Sequence, residues 1–115
     1  MLIHTCGPSD GPALVLRVGD QIGDCTAQIP TLGNFVEIQL WFHNLPTGPG
    51  TYGISSAAHC DTGKCSYANG GTITFTTYDP MGADATGTFS LEMPDGTTNT
   101  AAFHARQCAD GIMCG

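Results

Sequence analysis

Hydrophobic and polar residues alternate along most of this chain with the two-residue period of strands that bury one face. Over 35–42, Val36, Ile38, Leu40 and Phe42 share one face, with Phe35, Glu37, Gln39 and Trp41 on the other. Residues 72–78 repeat the pattern with Ile73 and Phe75 inward. In 85–93 the inward set is Ala85, Gly87, Phe89, Leu91 and Met93, opposed by Thr86, Thr88, Ser90 and Glu92. Residues 98–107 send Ala101, Phe103 and Ala105 inward, and an earlier run over 13–18 points Leu14, Leu16 and Val18 to one side. Pro94-Asp95-Gly96 is a turn signal that makes an antiparallel hairpin of the two runs it separates. Gly- and Pro-rich turns at 7–8, 11–12, 46–50, 69–71 and 79–82 divide the rest. Helical periodicity extends to no more than one short turn at 55–59. The pattern predicts a single all-β domain over 1–115, an antiparallel β-sandwich or barrel of about seven to nine strands.

Six cysteines change this picture from a bare sheet protein to a cross-linked one. Their even number and their spread along the chain read as a disulfide framework of an oxidising compartment. Cys60 and Cys65 flank Asp61-Thr62-Gly63-Lys64, where Gly63 permits a tight reversal. Cys108 and Cys114 flank a similarly short segment, which leaves Cys6 with Cys25. This sequential pairing is one of fifteen connectivities. A four-thiolate zinc site from Cys60, Cys65, Cys108 and Cys114 is the rival, with wider spacing than zinc knuckles use.

Charge narrows the partners. Three basic residues (Arg17, Lys64 and Arg106) against ten acidic ones give a net charge of −7. Nucleic acid and anionic lipid surfaces both need clustered Lys and Arg, so neither fits. No apolar run is long enough to insert in a membrane. Charged residues are 11% of the chain, and 15 threonines and 16 glycines carry solubility in their place, a habit of secreted β-proteins. Residues 1–4 are too short and too polar for a signal peptide, so export implies a leader already removed. A lipid-anchored alternative takes Cys6 as the modified cysteine of a lipobox, where His4 and Thr5 fit poorly.

Candidate chemistry is sparse. The outward face of Phe35, Gln39, Trp41 and His43 is the best ligand candidate, two aromatics with an amide between them that could stack a sugar or a small apolar molecule. Burial of both strand faces, with Trp41 in a second core, is the competing reading. Ser56-Ala57-Ala58-His59-Cys60 resembles the stretch around the catalytic histidine of trypsin-like proteases, but the Gly-Asp-Ser-Gly-Gly nucleophile context is missing. His59 then reads as a loop residue beside a bridged cysteine. A small hydrolase using His59 or His104 is the enzyme alternative. Asp20, Asp24, Asp79, Asp84, Asp95 and Asp110 lie near turns and supply hard oxygens for a calcium-stabilised structural domain, with no EF-hand loop among them. Thr72, Thr74 and Thr76 beside Thr86, Thr88 and Ser90 make a hydroxyl-rich patch that the β-propensity of threonine explains.

The last third, from Gly70-Gly71-Thr72-Ile73 through Ala85-Thr86-Gly87-Thr88-Phe89 to Phe103-His104-Ala105-Arg106-Gln107-Cys108, resembles the ending of small secreted proteins and lipoproteins of myxobacteria and related bacteria. That resemblance implies export and β-architecture and transfers no active site. The tail to Cys114 departs from it, since those chains stop near the first cysteine. The expectation is an extracytoplasmic, non-catalytic β-domain without a required cofactor. It would act as a binding or surface-interaction module for a small molecule, a sugar or a protein.

Overall fold

The structure, a computed structural model, describes residues 2–6, 12–19, 34–41, 45–79 and 84–108. They form nine strands: β1 (Leu2–Cys6), β2 (Pro12–Gly19), β3 (Asn34–Trp41), β4 (Gly50–Gly53), β5 (Ser56–Asp61), β6 (Lys64–Tyr67), β7 (Gly70–Thr77), β8 (Asp84–Glu92) and β9 (Thr98–Cys108). One sheet has the order β1-β2-β3-β5-β6 and the other β4-β7-β8-β9, with every pairing inside each sheet antiparallel. A short parallel contact, Leu2 with Gln107 and Ile3 with Cys108, joins β1 to β9 and links the two sheets at one corner. This is the expected all-β, disulfide-bonded sandwich. No helix among the described residues is long and apolar enough to cross a membrane.

The core is the meeting of the two inner faces. Leu14, Leu16, Ile38, Leu40 and Ala57 of the first sheet pack on Ile73, Phe75, Ala85, Phe89, Leu91, Phe103 and Ala105 of the second. Each large member withdrawn from water contributes about 1.5–3 kcal/mol. Phe75 and Phe103 stand on the two strands flanking Gly87 and pair with it in register. Their rings meet edge to face, with centroids 5.7 Å apart, across a position that has no side chain.

Three local expectations change. Of residues 55–59, read as one helical turn, 56–59 are strand: β5 pairs with β3 from Asn34↔Asp61 to Gln39↔Ser56, and sheet pairing overrides the weak local helical signal. A β-bulge between Phe75 and Thr77 shifts the alternation, so that Thr77 takes the place opposite Thr86 that was expected of Thr76. The same shift turns Tyr78 into the core, tilted against Phe75 at 5.0 Å. On β2 both faces are buried, because Ala13 (3% exposed) and Val15 (6%) stand directly opposite Trp41 and Gln39.

The β5–β6 hairpin turns through Thr62 and Gly63, both at positive φ (52° and 85°), as a two-residue turn of the twist-compatible kind requires. Cys60 and Cys65 are directly opposed in that hairpin and form the expected disulfide. Two of the four thiolates of the zinc alternative are thereby used. Cys25 and Cys114, the partners expected for Cys6 and Cys108, lie outside the described residues.

Candidate functional site

Among the described residues, strand pairing joins the two sheets only at one corner. β9 meets β1 only at Gln107 and Cys108, so the first half of β9 has no described strand along that edge. At about 3.3 Å per residue, Ala101 lies about 20 Å from the junction. Across the opening, Val18 and Gly19 of β2 extend past Leu16, the partner of Leu2. Ala101 keeps its expected inward register, opposite Phe89, yet is exposed.

Two adjoining cavities occupy the opening, and both are lined by His59 and Asn99. The smaller one, of about 290 Å³, is walled by Val18, Val36, Phe35, Ala101 and the otherwise buried Phe89, with Asn34 beside them. The larger one, of about 450 Å³, is walled by Ser66, Met93, Pro94, Asp95, Thr97 and Thr98. The cleft thus joins a mostly apolar half to a polar half, and small-molecule sites commonly combine the two kinds of lining.

Strand geometry sets each polar group of the cleft. On β5, alternation places His59 on the inner face with Ala57, opposite Val36 of β3 and Ser66 of β6. It is half-buried on a strand, not in the loop the sequence suggested. Its Nε2–H donates to Asn34 Oδ1 at 2.8 Å, because that carbonyl oxygen can only accept. The tight β8–β9 turn brings Thr97 onto Asp95, whose Oδ1 accepts from the Thr97 backbone N–H at 2.9 Å and from its hydroxyl at 2.6 Å. Those hydrogen bonds favour the ionised form and hold the Asp95 carboxyl below its usual range.

The four residues proposed from sequence divide. Phe35 reaches the cleft. Gln39 and Trp41 share its face but turn to each other: the indole Nε1–H donates to Gln39 Oε1 at 3.0 Å, and the Trp41 backbone N–H donates to Ser55 Oγ at 3.0 Å. With Trp41 half-buried beside Ala13, that end of the face is a packed outer layer. His43 lies outside the described residues. Asn34, Asp95, Thr97 and Asn99 were not singled out as residues for a small-molecule ligand. Asp95 had appeared as a turn residue and as one of six scattered candidate calcium ligands, and no pattern marks the other three.

The remaining candidates are scattered. His104 sits on the outer face of the second sheet, with Nε2 3.6 Å from Asp84 Oδ2, both side chains exposed. The threonine patch lines a shallow cavity of about 440 Å³ through Thr72, Thr74, Thr88, Ser90 and Thr100, and hydroxyls of the same sheet bond to one another at Thr51–Thr74 (2.9 Å) and Thr77–Thr86 (2.7 Å). Among the described residues no three His, Cys, Asp or Glu side chains converge as a metal site. Asp20, Asp24 and Asp110 of the calcium reading lie outside those residues. No family model, curated protein or solved structure matches the chain.

Proposed function

We propose that this protein is an extracytoplasmic, non-catalytic binding module whose ligand seat is the cleft between the open ends of its sheets. The observation that carries this reading is the exposure of an inward-facing core position, Ala101, in an opening with an apolar wall and a polar rim. The Cys60–Cys65 disulfide supports an oxidising compartment, as do low charge and high threonine content. A hydrolase would need a hydroxyl bonded to a basic imidazole nitrogen. His59 instead directs Nε2 to an amide, and Ser66, its cross-strand neighbour, is on an exposed edge strand. That arrangement favours binding over hydrolysis.

The test is a fragment screen by ¹H–¹⁵N NMR on the wild type and on Ala101→Trp, a substitution that fills the cleft. Binding fragments should shift amides around Val36, His59, Phe89 and Asn99, and the shifts should vanish in the variant while its folded spectrum persists. Hits that survive in Ala101→Trp, or that map elsewhere, overturn the assignment. Turnover of a chromogenic ester that is lost in His59→Ala would restore the hydrolase reading.

A further inference from the structure

We infer that the cleft takes a small amphipathic molecule with an apolar tail and a cationic, hydrogen-bond-donating head of the alkylamine class. This rests on the binding reading above and extends it from a seat to an occupant.

The tail follows from the smaller, mostly apolar cavity. Val18, Val36, Phe35, Phe89 and Ala101 offer no charge, and the volume of about 290 Å³ suits a short alkyl or aryl group rather than a folded partner. Covering that carbon surface with an alkyl chain is favourable in proportion to the apolar area withdrawn from water.

The head follows from Asp95. Its carboxylate only accepts, and Oδ2 has no hydrogen-bond partner among the described residues. Thr97 directs its hydroxyl proton to Asp95 and is left to accept. Together they favour a head that donates N–H groups. Charge points the same way: no described Lys or Arg lines either cavity, Asp95 is anionic, and the chain carries −7. An ammonium group meets both conditions, whereas a carboxylate or phosphate head meets neither.

Three probes of equal tail length separate the terms: octylamine, 1-octanol and octanoate, titrated at neutral pH and low salt below their aggregation limits. Isothermal titration should rank octylamine first, at least about threefold tighter than octanol, with octanoate weakest. The margin is modest because Asp95 is exposed to solvent. Asp95→Asn should bring octylamine to within about twofold of octanol and leave octanol unchanged. Raising the salt concentration should erase the same margin. Ala101→Trp should abolish all three. If octanol or octanoate equals octylamine in the wild type, the ligand class is wrong while the seat stands. If no probe binds, or if Ala101→Trp binds normally, the seat itself is wrong.

Discussion

Gly87→Ala should damage this protein more than any other single-methyl change on β8. A Cβ at that position would lie 1.9 Å from the Thr74 carbonyl oxygen, where real Cβ contacts essentially never fall below 3.0 Å. The obstacle is backbone, so β7 must move away from β8 by roughly the 1.1 Å difference. The same methyl would sit 3.1 Å from Phe103 Cζ and press on the Phe75–Phe103 contact above it. Overpacking of this kind costs about 1–3 kcal/mol, and loss of the edge-to-face ring contact about 0.5–1.5 kcal/mol more. A total of about 1.5–4.5 kcal/mol corresponds to a fall in Tm of about 5–25 °C for a chain of this size. Urea unfolding followed by circular dichroism measures it, with Gly53→Ala as the control. Gly53 has no atom within 4 Å of its would-be Cβ and should change stability by less than about 0.5 kcal/mol. A loss under about 1 kcal/mol in Gly87→Ala, or equal losses in both variants, would refute the reasoning.

Other outcomes follow from single features. Thr62 is a β-branched residue at φ 52°, so Thr62→Asn should raise stability by about 0.5–1 kcal/mol despite loss of its exposed bond to Asp61, as read by the urea midpoint. Replacing both Cys60 and Cys65 by Ala should cost about 2 kcal/mol, the chain-entropy value for so short a ring, and dithiothreitol should then have no further effect on that hairpin. Burial, reinforced by Tyr52 and Asp79, raises the Tyr78 phenol above its ordinary value near 10. The unfolded chain therefore loses that proton first, so stability present below pH 10 should decline as pH rises toward the folded value. Tyr78→Phe should flatten that decline in alkaline melts, and an unchanged slope would count against the assignment.

The strands were legible because their alternation is strong. Ile38 and Leu40, Ile73 and Phe75, and Phe89 and Leu91 occupy the inner faces as their period demands. The edge strands β4 and β6 were not legible, since Gly50–Gly53 and Lys64–Tyr67 are four residues each and too short to show a period. β5 was hidden for another reason: Ala57 and Ala58 are both buried, on opposite faces, which erases the polar half of the alternation. The bulge that turns Tyr78 inward has no sequence mark. The cleft was the least legible of all. It depends on where β9 leaves β1, a long-range register, and its polar groups come from four separate strands and a turn. Phe35 was singled out beforehand for a face on which Gln39 and Trp41 turned out to satisfy one another, His59 for hydrolysis and Asp95 for calcium, none of them for this cleft.

The gap beside Ala101 should receive the apolar end of a small amphipathic molecule, with its head at Asp95. Intermolecular NOEs between octylamine and the ¹³C-labelled protein test it most directly. The terminal methyl should show contacts to Phe89, Val36 and Ala101, with the protons next to nitrogen near Asp95 and Thr97. NOEs to Trp41, or to Thr74 and Thr88 on the outer face, or a reversed orientation with the methyl at Asp95, would contradict it.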